Sequence, residues 1–328
     1  MHMGANDRHL LWYRSNTGIG DRIHHMVQML EIAEQVEAHC IADFRDGMFG
    51  ELGEDAFNRW LTCPHPLFMQ SPDFEAILDT YQADQIPSQR THFAPHRHTD
   101  YPFRIRQASA HITRALNTTY RHNALSGRLL RKVNLVFRPR CIIDRVQSVP
   151  IAPMGYRIPW RKLERPTLLL YMDVIRKPHW SDTRMVWPRP DVIRSIEAEW
   201  PSMGLNPADC AALHVRQTDK STSTQWRKWL AEIKQGKRFA DRSQLFLATD
   251  SKQVLDAFKQ AGLRQTVLHN PWLTLSDDES PLHRSNHDGA WVMRTALFDL
   301  WTCASCADFQ PWKFSSFSRL ISAWRAFR

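Results

Sequence analysis

The chain has 328 residues, 43% of them hydrophobic and 23% charged, so it can bury a sizeable core and is no disordered segment. Its formal charge of +9, from 43 Lys and Arg against 34 Asp and Glu, favours anionic ligands such as nucleotides, phosphates or acidic glycans. The basic residues are dispersed, with no arginine-rich block or interleaved aromatic motif, which argues against nucleic acid as a partner; no apolar run reaches the roughly 20 residues of a membrane span, and only peripheral membrane association stays open.

Leu10-Leu11-Trp12-Tyr13-Arg14 reads as a buried strand, followed by a Gly18-Ile19-Gly20 turn. A helix from about Asp21 to Val36 follows, with Ile23, Met26, Val27, Leu30 and Ile32 at helical spacing. Cys40-Ile41-Ala42-Asp43-Phe44 supplies a second strand, so the chain opens as a right-handed βαβ unit. The middle, rich in Pro, His and Arg, holds an amphipathic stretch from Arg104 to about Asn123 and a strand at Thr167 to Met172. Pro188, Pro190 and a helix from Asp191 to Trp200 mark the passage into a second domain.

From Ala211 the alternation is regular. Strands are expected to Arg216, at Leu245 to Thr249, at Thr266 to Leu268 and near Ala307 to Phe309. Helices are expected from Gln225 to Ile233, Lys252 to Ala261 with Gly262 closing it, Ala290 to Thr302, and from Phe317 onward. The expected fold class is α/β, with two Rossmann-like domains, 1–188 and 189–328, facing a cleft. The polar opening from Met1 to Arg8 lacks the apolar centre of a secretory signal, and six cysteines without a regular framework favour a reduced, cytoplasmic setting. Cys303 and Cys306 form a CxxC, but inside an apolar helical pattern, where packing in the core is expected.

Three polar clusters fall where strands of the second domain end, the edge at which doubly wound sheets bind ligands. His214-Val215-Arg216-Gln217-Thr218-Asp219-Lys220 gathers an imidazole, a guanidinium, a carboxylate and an ammonium. Such a set suits a diphosphate, because Arg grips phosphate oxygens bidentately and Lys adds a point charge; a charged surface turn reads the same way. Thr249-Asp250-Ser251 ends a strand and opens a helix, so Asp250 or Ser251 either caps that helix or meets a guanine edge or ribose. Lys313-Phe314-Ser315-Ser316-Phe317-Ser318-Arg319 also precedes a helix and offers either a serine cap or an anion site of free amides and hydroxyls. Gly18-Ile19-Gly20 lacks the third glycine of a dinucleotide fingerprint, and the adjacent His24 and His25 point about 100° apart on a helix, which argues against a metal there.

Taken in order, these segments resemble the α1,6-fucosyltransferase family within the GT-B fucosyltransferase superfamily. The likeness runs through Ser15 to Gly20 with His24-His25, then His214 to Lys220, then Phe246 to Asp256. It continues through Pro281-Leu282-His283, the helix carrying Leu297-Phe298-Asp299-Leu300, and Phe314-Ser315-Ser316 with Arg319. The resemblance implies a metal-independent, inverting transferase without a cofactor, whose donor substrate is GDP-fucose and whose acceptor is a glycan hydroxyl. Carried over by position, it implies that Arg216 binds the β-phosphate and that His214 and Asp250 lie by the guanosine. Ser315 and Ser316 hold phosphate with Ser251 and Arg319 alongside, and Gly18 and Gly20 line the cleft from the first domain. Arg216, Lys220 and Asp219 are the expected catalytic residues.

One departure stands out. Eukaryotic members carry a glutamate, proposed as the base, four residues after the motif lysine, where this chain has Thr224. Asp219 is the nearest carboxylate, and Asp43, Asp46 and Glu51 of the first domain are further candidates. A transferase of another GDP-sugar and a catalytically idle nucleotide-sugar binder are the alternative readings. Trp160, Trp180 and Trp187 are either core residues or platforms for acceptor sugars.

Overall fold

The computed structural model describes residues 10–14, 17–36, 38–70, 73–74, 76, 142–143, 168–172, 185–217, 224–273, 275, 288–313 and 315–326. The opening βαβ forms as β1 (Leu10–Arg14), α1 (Ile19–Val36) and β2 (His39–Asp43). Leu10 to Tyr13 are buried on both faces of the strand, the signature of a parallel strand covered from either side. α2 (Ala56–Trp60), β3 (Leu61–Thr62), β4 (Ile142–Ile143), β5 (Leu168–Met172) and β6 (Trp187–Pro188) follow. β2, β1 and β5 lie side by side and parallel, with β4 antiparallel at the edge, while β3 pairs with β6. The amphipathic stretch expected from Arg104 lies outside the described residues.

The second half alternates as read. It comprises α3 (Pro190–Glu197), a 3-10 turn (Pro207–Asp209), β7 (Cys210–Val215), α4 (Gln225–Lys234), β8 (Gln244–Thr249) and α5 (Lys252–Gln260). β9 (Thr266–Leu268), α6 (Gly289–Ser305), β10 (Asp308–Gln310) and α7 (Ser316–Arg325) complete it. The four strands form an all-parallel sheet in the order β10-β7-β8-β9. Gly262 ends α5 at φ +64°, a left-handed closure that glycine adopts without strain.

β7 shows why the core has two parts. Cys210 and Ala212 join α1, α6 and α7 in one cluster that continues to the first sheet, whereas Ala211, Leu213 and Val215 pack with α4 and α5 on the other face. α6 is apolar almost all round and is accordingly buried, carrying Cys303 and, at its C-terminal cap, Cys306 as buried thiols. Trp187 packs against Trp301 and stacks on Trp324, whose indole N–H donates to Val186 O at 3.0 Å. It is a core residue; Trp160 and Trp180 lie outside the described residues.

Gly20 corrects one expectation. It belongs to the first turn of α1 rather than to the turn before it. A Cβ there would lie 2.7 Å from the Phe317 N atom and 2.8 Å from the Ser316 carbonyl carbon, so glycine lets the start of α7 rest on the start of α1. Gly289 does the same at the head of α6, where a Cβ would lie 2.5 Å from Gly50 O. Both contacts meet backbone, which cannot swing aside. Gly20→Ala is therefore expected to cost roughly 1–3 kcal/mol of stability, read by chemical denaturation; wild-type stability would show that the two helix ends separate freely.

Candidate functional site

The ends of β7 and β8 are tied together by one hydrogen bond: the Gln217 N–H donates to Asp250 Oδ1 at 3.0 Å. Arg216 and Asp250, both partly buried, thus belong to a single rim. Ser251 is the N-cap of α5, its Oγ accepting from Val254 N–H at 3.3 Å, and is itself buried. Its acceptor is engaged by the helix, the capping alternative of the two weighed from sequence.

The end of β7 is also tied to the start of α7. His214 Nδ1 lies 2.6 Å from Ser318 Oγ, which accepts the Trp312 N–H at 2.8 Å, and the imidazole packs on the Phe317 ring at 4.9 Å between centres. Burial, helped by the nearby Arg216 charge, pushes the His214 pKa down to about 3, so the ring is neutral and acts as a strut. Ser315 caps α7 by accepting from Ser318 N–H at 3.3 Å, and Ser316 is the first helical residue.

At this point α7 meets α1. Gly18 precedes α1 and its carbonyl accepts the Arg22 N–H at 3.0 Å, opening the helix. Arg319, in the first turns of α7, senses the carboxylate of Asp21 on α1; burial draws its own pKa down and Asp21 draws it up. It also presses on His24, whose pKa falls to about 3 through burial first, then His25 and Arg319. The positive ends of two helices and the guanidinium of Arg319 therefore converge beside the β7 rim that carries Arg216, an arrangement suited to a polyanion such as a diphosphate.

Asp299 was not singled out by sequence reasoning, although a carboxylate inside Leu297-Phe298-Asp299-Leu300 is a signal in itself. It is buried on α6, hydrogen-bonded by the Asn270 side chain, and near enough to Asp250 to feel its charge. Its Oδ1 has no hydrogen-bond partner among the described residues. Burial above all, with Asp250 contributing, raises its pKa to about 8. A buried acceptor without a donor costs about 1–3 kcal/mol, a cost that a ligand offering N–H groups removes.

Two of the three further carboxylate candidates are held by partners. Asp46 is buried in an ion pair with Arg22, whose guanidinium also donates to Thr17 O at 2.9 Å and stacks on Phe44 and Phe49. Asp43 accepts from Trp12 Nε1 at 3.1 Å and from Arg45 Nε at 3.0 Å. Both are thus held by partners, whereas Glu51 is exposed, and Thr224 sits exposed at the N-cap of α4. Asp219, Lys220, Ser15, Asn16, Phe314 and Pro281 to His283 lie outside the described residues. Among the described residues no three His, Cys, Asp or Glu side chains gather as a metal site, and no helix is long and apolar enough to cross a membrane.

An all-parallel sheet and a largely parallel one, with the end of β7 beside the heads of α1 and α7, give a GT-B-like α/β fold similar to those of solved fucosyltransferases. NodZ α1,6-fucosyltransferase soaked with GDP-fucose superposes with a TM-score of 0.54 at 16% identity, covering 97% of this chain and 92% of that one. NodZ from Bradyrhizobium gives 0.52 at 17% identity over 96% and 92%. POFUT1 in complex with GDP gives 0.53 at 11% identity over 99% and 96%. No protein-family model and no curated protein sequence matches the chain, so the likeness is one of fold.

Proposed function

We propose that the chain is an inverting glycosyltransferase that moves fucose from GDP-fucose to a glycan hydroxyl, without a metal ion. In this reading residues 1–188 receive the acceptor and residues 189–328 hold the nucleotide. The observation that carries it is the joining of all three clusters: Asp250 bonds the Arg216–Gln217 backbone, and His214 bonds the head of α7. The diphosphate lies against Arg216 and the head of α7 at Ser315 and Ser316, with the Ser316 amide as donor, since the Ser315 N–H is turned back to Trp312 O at 3.3 Å. Arg319 and the head of α1 at Gly18 and Gly20 close over it. The uncommitted Oδ1 of Asp299 takes the N–H donors of a guanine edge, with Asp250 toward the ribose.

The acceptor oxygen attacks the anomeric carbon as the bond to the β-phosphate oxygen breaks, through an oxocarbenium-like transition state. The acceptor proton passes to a carboxylate, and the charge growing on the leaving diphosphate is met by Arg216, Lys220 and the α7 amides. With Asp43 and Asp46 held in ion pairs, Asp219 is the base, being the carboxylate nearest Arg216 in sequence. Asp219→Asn is expected to lower kcat roughly 10²–10⁴-fold with GDP affinity unchanged, whereas Glu51→Gln leaves kcat alone. The reverse pattern transfers the role to Glu51. A thermal-shift panel of nucleoside diphosphates tests the donor, with GDP expected to outrank UDP and ADP. Transfer that persists in EDTA supports the metal-free reading, and loss restored by a divalent cation overturns it. Binding of GDP-fucose with neither transfer nor slow donor hydrolysis would favour the idle binder.

A further inference from the structure

A hollow of about 200 Å³ opens between the first unit and α6, walled by Trp60 of α2, by Asp191, Ser195 and Ile196 of α3, and by Trp272 and Arg294. Nothing in the proposed nucleotide site uses it. Trp272 is rigidly set: its N–H donates to Asn270 Oδ1 at 3.0 Å, and its ring packs edge-on against Phe298 at 4.7 Å. The Arg294 guanidinium lies 3.8 Å from its ring centre. Trp60 carries an indole N–H that is buried and has no partner among the described residues. The Asp191 carboxylate is held from outside by Arg189 at 3.1 Å.

We infer that this hollow is a saccharide subsite, taking one neutral sugar ring of a longer glycan. The chemistry is that of a pyranose: indole and aliphatic walls for the C–H faces, with a carboxylate, a hydroxyl and a guanidinium around them for the ring hydroxyls. Asp191 is already paired with Arg189 and the Arg294 guanidinium lies over the Trp272 ring, so the lining offers the ring hydroxyls a carboxylate acceptor beside guanidinium donors, with one positive charge in excess. The volume lies below the roughly 300–1,000 Å³ of pockets that enclose a whole ligand, so a single residue of an oligosaccharide fits it better than a complete small molecule. Asn270 links the hollow to the base end of the nucleotide site. The same side chain that accepts from Trp272 hydrogen-bonds Asp299 and donates to Thr295 O at 3.0 Å. As a glycan site the hollow rests on its own lining, and only its role as an acceptor subsite rests on the transferase reading.

The test is a printed array of neutral oligosaccharides probed with the full chain in the presence of GDP, alongside GDP titration of each variant. Wild type is expected to select a subset of these glycans, and Trp272→Ala to bind that subset at least tenfold more weakly. Ser195→Trp, at an exposed helix position, fills the hollow without removing core contacts and is expected to do the same. Equal glycan binding by Ser195→Trp and wild type, no glycan binding by wild type, or preference for peptides or free nucleobases over sugars each overturns the proposal. Glycan binding that depends on Trp272 in a chain that fails to bind GDP would sink the transferase reading and leave the subsite standing.

Discussion

An Arg216→Ala variant is expected to lose fucose transfer by roughly 10²–10³-fold while folding like wild type. Arg216 is only partly buried and follows the last residue of β7, so its removal opens no cavity; surface changes of this kind fall within about 0.5 kcal/mol. Its loss should show in the chemical step if, as proposed, the guanidinium meets charge that grows as the diphosphate departs. Arg216→Lys restores the charge but not the bidentate fork and should recover only part of the rate. Steady-state turnover with GDP-fucose, together with urea unfolding, separates the two effects. Turnover within a few-fold of wild type would remove Arg216 from the reaction.

Asp299→Asn is expected to do the opposite to stability and binding. The unfolded chain gives up this proton near pH 4, the folded chain only near pH 8. Between those values the folded state holds the extra proton, so raising the pH across that window lowers stability. The amide abolishes the slope, and Tm at pH 8 should rise while Tm at pH 4 changes little. The amide also turns a donor toward the ligand, so GDP affinity should fall at least tenfold. In the proposed site the donors of guanine bind the ionised carboxylate, hence GDP affinity is expected to climb by about tenfold per unit from pH 6 toward 8, with a proton released. Calorimetry in buffers of different ionisation enthalpy reads that proton directly. A pH-independent affinity with no proton release would place the base elsewhere.

The strands and helices at both ends of the chain were legible because each burial pattern has its own period. The continuous, strand-length apolar run of β7 and the i, i+3, i+4 residues of α1 are written in single segments. The site was legible only where residue types converge. Ser251 and Ser315 read equally as caps and as phosphate ligands, since both roles ask for the same hydroxyl at the head of a helix; their bonds to Val254 and Ser318 come from the structure. Gly20 reads as a turn because its reason for being glycine, the backbone of α7, lies almost 300 positions away. Asp43 and Asp46 read as open carboxylates in part for the same reason: Trp12 on Asp43 and Arg22 on Asp46 are brought there by tertiary packing, while Arg45 beside Asp43 is local. Asp299 was the missed signal, a charge in a helix otherwise built for burial.

The resting of α7 upon α1 also bears on which parts of the chain the proposed site needs. α7 follows every strand of both sheets, and α1 follows the first. A chain cut at residue 310 retains the strands of both four-stranded sheets, yet it lacks the head of α7 and the Trp324 anchor on Val186. If the proposed nucleotide site is right, a chain cut there keeps the β7 rim but is expected to bind no GDP.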